Sequence, residues 1–311
     1  MTQGKLQQIL VTVPRRLEPV FRTQLRSLAG QWPTSWIPME GDRAEISLFL
    51  PARRGTTKLL CALRAYRDVL RRLGLPIGSI RIQHRFIRGK DWARAWRNSY
   101  EPVEISPTLV VKPTWAKWAR RDDQMVIEID PTLAFGTGHH PTTAFCLRMV
   151  ERLARRRNLA RDGKPMAFLD CGCGTGILTI AAARFGCAPA IGFDIDRQAV
   201  RVARANARLN GVERQMQIAG GALEQFRPGN GLSASGGAKF DLVAANLASD
   251  VLVKNARRLT RLVRRGGVLA LAGVLDRDAR KVGAAFRRLG WRQVARESSG
   301  GWTSWAVSRI P

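Results

Sequence analysis

Two hydrophobic periodicities alternate along the first 86 residues. Apolar side chains at helical spacing predict helices over residues 17–28 and 56–73. Alternating or continuous apolar runs predict strands at residues 7–13, 44–50 and 80–86, with a short strand near 35–38. The resulting order, βαββαβ, predicts a ferredoxin-like α+β domain. His84, which falls among arginines in the last strand, is interpreted as a surface or packing residue.

The pattern after residue 166 is a regular alternation of strands and helices. Strands are predicted to end at Asp170 and Asp194, each followed by a helical pattern. Further strands are predicted at 215–219, 240–246 and 267–274, helices near 250–263 and 277–289, and a final hairpin from 291–296 and 303–308. Such an order predicts a parallel sheet with a reversed last strand. Ligands of these sheets bind at the carboxyl ends of the strands.

Between these two regions, residues 87–125 contain four tryptophans and three prolines, and a strand is predicted at 108–111. Tryptophans can stack on nucleic-acid bases, particularly beside arginines. They more often bury their rings against neighbouring structure. The sequence therefore predicts three segments: a recognition domain at 1–86, a tryptophan-rich linker at 87–125 and a ligand-binding domain at 126–311.

Composition limits the class of protein. The 311 residues are 45% hydrophobic, which is enough for two packed domains. No apolar run has the length of a membrane span and no signal-peptide pattern opens the chain, so we expect a cytoplasmic protein without a membrane partner.

The net charge of +28 is high, and the basic residues are spread over the whole chain. Only nine of the 52 basic residues are lysine. Such a balance is typical of proteins that contact rRNA or another acidic partner. A solvated basic surface from a genome that favours arginine codons is an equal alternative.

Residues 166–196 contain the most specific pattern, MAFLDCGCGTGILTIAAARFGCAPAIGFDID. Gly172, Gly174 and Gly176 lie where the backbone must turn and a ligand must approach closely. Asp194 follows about 20 residues later, the distance at which a carboxylate binds ribose hydroxyls. A dinucleotide fingerprint would need a third glycine at the position of Ile177. The motif therefore predicts the binding of a single nucleoside and not of a dinucleotide.

A second glycine-containing stretch, residues 129–143, leads into a predicted helix. Phe135 and Gly136 precede its start, and Thr142 and Thr143 lie in its first turn. Free N–H groups and hydroxyls at a helix start suit a ligand carboxylate.

Metal binding is not predicted. His139 and His140 are adjacent, so their side chains diverge, and the chain offers no further set of ligands for them. Cys171 and Cys173 lie inside the glycine turn without a paired CxxC arrangement, and we expect them to be small buried thiols.

Together these motifs resemble the bacterial ribosomal protein L11 methyltransferase (PrmA) family. The resemblance covers nearly the whole chain and rests on five motifs: Asp91-Trp92, the run from Asp130 to Thr143 (DPxxAFGTGxHPTT), Asp170 to Leu178 (DxGCGxGIL), Asp194-Ile195-Asp196 and Asn246-Leu247. The chain departs from the family at Thr132, His139 and Ala248, and in a Gly/Ser-rich insertion at 228–237.

The resemblance implies a class I S-adenosylmethionine methyltransferase fold, which is Rossmann-like with a seven-stranded mixed sheet. It also implies an N-terminal ferredoxin-like domain that binds the substrate. It implies S-adenosylmethionine as cofactor and amino groups of a large-subunit ribosomal protein as acceptors, lysine and/or the N-terminal α-amine. The candidate cofactor-binding residues are Phe135, Gly136, Thr142, Thr143, Asp170, Gly172, Gly174, Gly176, Asp194 and Asn246.

Asn246 and Leu247 are the candidate catalytic residues. Methyl transfer to an amine depends mainly on positioning. The Asn246 side-chain oxygen and the Leu247 carbonyl would orient the amine, whereas the alternative is that Asn246 only ends a strand.

Three other functions stay open at this point. The chain could be a protein-lysine methyltransferase for another protein or an rRNA methyltransferase, and a non-catalytic RNA-binding protein would show no turnover.

Overall fold

The computed structural model describes residues 6–30, 33–36, 41–87, 101–130, 138, 140–158, 164–226 and 239–309. The contacts divide the chain into two compact units, residues 1–99 and 100–311. In the part of the chain that is described, no helix combines the length and the apolarity needed to cross a membrane.

The first unit has the predicted βαββαβ order. Its elements are β1 (Leu6–Pro14), α1 (Glu18–Ala29), β2 (Thr34–Trp36), β3 (Arg43–Pro51), α2 (Thr57–Arg72) and β4 (Arg81–Ile87). The strands pair antiparallel in the order β2-β3-β1-β4, which confirms the ferredoxin-like fold. Alternate residues of β1 and β3 point into the core and meet Phe21, Leu25 and Leu63 of the two helices. His84 lies 2.8 Å from the Gln7 side chain, a packing role as interpreted.

The second unit begins with a small sheet of three strands, β5 (Val103–Ser106), β6 (Leu109–Lys112) and β7 (Met125–Glu128). The predicted strand at 108–111 is β6, displaced by one residue. Trp118, from the tryptophan-rich segment, donates its indole N–H to the buried side chain of Gln124 at 3.1 Å. Trp118 therefore packs against its own unit. Trp92 and Trp96 lie outside the described residues.

The main sheet of the second unit has seven strands. In chain order the elements are α3 (Pro141–Asn158), β8 (Phe168–Cys171), α4 (Ile177–Arg184), β9 (Ala190–Asp194), α5 (Arg197–Leu209), β10 (Met216–Gly220), β11 (Phe240–Asn246), α6 (Ser249–Lys254), α7 (Ala256–Leu262), β12 (Val263–Leu275), α8 (Ala279–Arg287), β13 (Arg292–Ser299) and β14 (Trp302–Ser308). The strand order is β10-β9-β8-β11-β12-β14-β13. The first five strands are parallel and β14 runs antiparallel to its two neighbours, which confirms the predicted mixed sheet.

The central strands of this sheet are buried on both faces. All four residues of β8 and the first six of β11 are buried, as expected for parallel strands covered by helices on two sides. The helix α4 is buried from Ile177 to Ala183. The glycine turn that connects β8 to α4 therefore stands on a rigid base.

One predicted helix is wrong in detail. The stretch at 250–263 forms two helices, α6 and α7, which are separated at Asn255. The Asn255 side chain donates to the Val251 carbonyl and to Glu224 Oε1, both at 3.1 Å. Asparagine side chains can bond to the backbone of their own helix, and here the Val251 carbonyl accepts both the N–H and the side-chain amide of Asn255. Asn255 itself leaves the helical conformation, with φ −102° and ψ 13°. The periodicity of the apolar residues does not contain that information.

Candidate functional site

The carboxyl ends of three neighbouring strands meet at one edge of the main sheet. Cys171, the last residue of β8, is in register with β9 on one side and β11 on the other. Gly172, Asp194 and Asn246, which follow or end these strands, are consequently neighbours. This edge is where a parallel sheet binds its ligand.

The glycine turn after β8 has the conformation that only glycine adopts easily. Gly172, Gly174 and Gly176 have φ values of 78°, 55° and 81°. A Cβ on Gly172 would lie 2.6 Å from Leu247 Cδ2, and one on Gly176 would lie 2.9 Å from the Cβ of Ala203. The glycines are needed both for the turn and for the close packing of β11 and α5 around it.

The carboxylate of Asp194 is held in place by backbone donors. Its Oδ2 accepts a hydrogen bond from the N–H of Gly174 and its Oδ1 one from the N–H of Asp196, both at 2.9 Å. Each oxygen keeps a further lone pair, and the side chain is partly exposed. A fixed, accessible carboxylate of this kind can accept two hydroxyl hydrogen bonds at once.

Asp170 lies beneath the turn and is 1% exposed. Its Oδ2 accepts the hydroxyl of Thr179 at 3.0 Å, whereas its Oδ1 has no donor among the residues that the structure describes. The pKa of Asp170 is raised to about 7, mainly by burial; the Thr179 hydrogen bond opposes this rise and the nearby Asp194 adds to it. A positively charged ligand at this edge would favour the ionised form.

The two cysteines of the turn are buried, as expected. Cys171 is 0% and Cys173 5% exposed, and neither is in a disulfide. Burial raises the pKa of both thiols, and Asp170 raises it further. Both are therefore neutral packing residues and not nucleophiles.

The first turn of α3 faces the same edge. Thr142 and Thr143 are fully buried, and Thr143 Oγ1 accepts a hydrogen bond from Asn246 Nδ2 at 3.4 Å. The ring of His140 lies 2.7 Å from the Thr142 hydroxyl and packs edge-on against Trp302 at 4.8 Å between centroids. The helix start is thereby tied to β11 and to the final hairpin.

Phe135 and Gly136, which precede this helix in the sequence, lie outside the described residues. The same holds for Thr132, His139 and the insertion at 228–237.

Asn246 and Leu247 complete the edge. Asn246 donates to Thr143, but its Oδ1 is buried and has no donor among the described residues. The N–H of Leu247 donates to the Ala272 carbonyl at 3.1 Å, which fixes the backbone just beyond β11. Because a buried amide oxygen without a donor costs about 1–3 kcal/mol, this atom is suited to a bound hydrogen-bond donor.

Gly273, which the sequence analysis does not single out, lies directly against these two residues. It lies at a bulge of β12 with a φ of 80°. A Cβ at this position would lie 2.7 Å from the Leu247 carbonyl oxygen and 3.0 Å from Asn246 Oδ1. Its sequence signal was an isolated glycine inside a predicted strand, which often marks a bulge or a close backbone contact.

These features fit a nucleoside that carries a positive charge. Asp194 offers a fixed carboxylate for ribose hydroxyls, and the three glycines of the turn after β8 have no side chains that would hinder the approach of a ligand. Asp170 Oδ1 and Asn246 Oδ1 are buried acceptors that lack a donor among the described residues. These acceptor oxygens and carboxylates match the ribose hydroxyls, the ammonium group and the positively charged sulfonium of S-adenosylmethionine.

Residues 41–309 match the family model described as ribosomal protein L11 methyltransferase (PrmA). A protein of that name from Pelotomaculum thermopropionicum is 34% identical over 279 residues, which cover 88% of this chain and 84% of the relative. The one from Geobacter sulfurreducens is 42% identical over 217 residues, covering 70% and 66%. The crystal structure of ribosomal protein L11 methylase from Lactobacillus delbrueckii subsp. bulgaricus superposes with a TM-score of 0.56 at 26% identity, covering 68% of this chain and 100% of that one. This chain therefore belongs to the ribosomal protein L11 methyltransferase (PrmA) family of S-adenosylmethionine-dependent methyltransferases.

Proposed function

We propose that this enzyme methylates amino groups of ribosomal protein L11, on lysine side chains and/or the N-terminal α-amine. The observation that carries the proposal is the buried Oδ1 of Asn246, which has no donor among the described residues and lies next to the Leu247 carbonyl. An amine with two N–H groups would donate one hydrogen bond to Asn246 Oδ1 and one to the Leu247 carbonyl.

Each group of residues at the sheet edge would bind a different part of the cofactor. Asp194 would accept the ribose hydroxyls, the turn from Gly172 to Gly176 would lie along the nucleoside, and the start of α3 would receive the carboxylate. Asp170 would contribute a negative charge beside a positively charged ligand. When bound, the cofactor supplies a methyl group that leaves its sulfur for the amine nitrogen, and the amine gives up one proton.

The protein's part in this reaction is to orient the amine. Hydrogen bonds from the amine to Asn246 Oδ1 and the Leu247 carbonyl would fix its two N–H bonds, so that its lone pair points away from them. Positioning of this kind accounts for much of the acceleration in displacement reactions. The amine must first be neutral, which is easier for an α-amine with a pKa of about 8 than for lysine at about 10.4.

The first unit is the proposed recognition domain. Residues 1–86 contain 15 basic and five acidic side chains and none of the candidate catalytic groups. An enzyme that methylates several amines on one protein needs a substrate-binding surface that is separate from the catalytic site. Residues 87–125 would connect this recognition domain to the catalytic domain at 126–311. With a ribosomal protein as substrate, the enzyme would act in the cytoplasm.

The test is transfer of labelled methyl groups to defined acceptors. The enzyme, labelled S-adenosylmethionine, purified L11 and rRNA are incubated together, and mass spectrometry then identifies the labelled molecule and the modified atoms. We expect label on amino nitrogens of L11. Label on rRNA, or on a different protein when a ribosomal extract is supplied, would contradict the proposal.

A further inference from the structure

A basic cavity lies at the edge of the main sheet opposite to the methyl-transfer site. Its volume is about 660 Å³. Its walls come from the residue before β11, from α7 and the beginning of β12, from the segment between α8 and β13, and from the residue after β14. Because β14 is antiparallel to β12, its end lies beside the beginnings of the parallel strands. The seven residues of β11 separate this cavity from Asn246 by about 20 Å.

The cavity is lined by six basic side chains: Lys239, Arg257, Arg261, Arg264, Arg265 and Arg309. Only Arg264 has an acidic partner among the described residues, the buried carboxylate of Asp241. A seven-residue helix such as α7 presents at most about half a negative charge at its end, so the helix dipole does not balance the other five. The cavity consequently has a strong positive potential, which its concave shape concentrates.

The residue types favour phosphate as the ligand. Five of the six cations are arginines, whose planar guanidinium groups bind phosphate oxygens through two parallel hydrogen bonds. Val263, Leu289 and Trp291 add an apolar part to the wall, which suits the sugar carbons between successive phosphates. Several cations within one cavity are better matched by a chain of phosphates than by a single ion.

We propose that this cavity binds the phosphodiester backbone of RNA while the opposite edge of the sheet methylates the protein substrate. The inference rests on the proposed function, because a ribosomal protein is surrounded by RNA in its assembled state. None of the described residues that line the cavity is acidic, so its complementary partner is a chain of negative charges. RNA next to the substrate is such a chain.

The test compares two double charge reversals in the full chain. Arg261→Glu with Arg265→Glu changes the cavity, and both side chains are exposed without an ion pair among the described residues. Arg201→Glu with Arg208→Glu on α5 is the matched control, with the same change of net charge at exposed positions away from the cavity. Fluorescence anisotropy with a labelled RNA of about a dozen nucleotides measures binding between about 50 and 200 mM salt.

We expect the cavity variant to bind RNA at least about tenfold more weakly, with the slope of log K against log salt reduced by about 1.5, as for the loss of two phosphate contacts. The control variant should change the affinity less than about threefold, through its net charge alone. Calorimetry with S-adenosylmethionine should give the same affinity for all three proteins, which shows that they are folded. Methylation of isolated L11 should also be the same in all three.

Two results would overturn the inference. Equal losses in the two variants would mean that RNA responds only to overall charge. If polyglutamate binds as tightly as RNA at the same salt and the cavity variant loses that binding too, the partner is an acidic protein.

The same experiment tests the proposed function separately. If none of the three proteins methylates L11 but RNA binding behaves as expected, the proposed substrate is wrong and the cavity assignment stands.

Discussion

At the scale of single residues, Asp194 makes the most direct test of the cofactor site. Its two oxygens already accept backbone hydrogen bonds, so the carboxylate is oriented before a ligand arrives. We expect Asp194→Ala to weaken S-adenosylmethionine binding by about 1.5–3 kcal/mol, the range of hydrogen bonds to a charged group. Titration calorimetry measures this change.

Asp196→Ala is the matched control for that substitution. Asp196 accepts the N–H of Gln198 at the start of α5, so its loss should cost about 1 kcal/mol of unfolding free energy. Cofactor affinity should stay as in the original protein. If Asp194→Ala left the affinity for S-adenosylmethionine unchanged, Asp194 would not be a cofactor-binding residue.

Asn246 allows binding and catalysis to be separated. If its Oδ1 orients the amine, Asn246→Ala should lower kcat by roughly 10²-fold, the effect of losing one positioned group. Cofactor affinity, measured by calorimetry on the same preparation, should change much less. A loss confined to cofactor affinity would make Asn246 a binding residue and not a catalytic one.

Asp170 predicts a pH dependence of stability in the protein without cofactor. Burial raises the pKa of Asp170 from 3.8 to about 7 on folding, so the unfolded chain loses this proton first as pH rises. The carboxyl group therefore destabilises the fold progressively from about pH 4 to pH 7 and equally at all higher pH values. Between about pH 5 and pH 8 the loss is about 2–3 kcal/mol.

Asp170→Asn should remove this part of the pH dependence, since the amide can still accept the hydrogen bond from Thr179. Urea unfolding of both proteins at the two pH values gives the comparison. The original protein should lose stability relative to the variant as pH rises. Parallel changes in the two proteins would mean that Asp170 is ionised at both pH values.

At the scale of secondary-structure elements, the bulge in β12 holds the end of β11 in place. In Gly273→Ala, the new methyl group would lie 2.7 Å from the Leu247 carbonyl oxygen, so Asn246 and Leu247 must shift. We expect kcat to fall at least about tenfold because these oxygens orient the amine. Unfolding free energy should also fall by about 1–2 kcal/mol, since φ is 80°.

Gly290→Ala separates the two effects of that substitution. Gly290 has a φ of 79° and open space around its Cβ position. Its alanine variant should lose a similar free energy of unfolding while kcat stays unchanged. Equal kcat losses in the two variants would show that stability alone accounts for the effect.

Local sequence signals predicted most of these elements, but not how their ends meet. The glycine turn after β8 and the parallel sheet with one reversed strand were predictable, because each depends on neighbouring residues or on the regular alternation of strands and helices. The hydrogen bond between Asn246 and Thr143 joins residues 103 positions apart, and the side chain of Asn255 bonds to Glu224, 31 positions away. Such contacts arise only when distant segments pack, so periodicity does not reveal them.

At the scale of the whole molecule, the charge and the two units make separate predictions. The net charge is +28, and the basic cavity at the far edge of the main sheet is one place where basic side chains are concentrated. The first unit has a ferredoxin-like sheet and a hydrophobic core of its own, and the second unit contains the whole glycine-turn edge. Recognition and chemistry are therefore expected to be separable.

We expect a fragment that begins near Arg88 to bind S-adenosylmethionine like the full chain, because Asp170, Asp194 and Asn246 all lie in the second unit. It should lose methylation of L11, while residues 1–86 alone should bind L11 weakly. Association of L11 with the full chain should slow as salt rises, since the first 86 residues have an excess of basic side chains. Calorimetry, methyl transfer and stopped-flow binding measure the three effects. If the fragment methylates L11 as fast as the full chain, the first unit does not recognise this substrate and must bind a different partner.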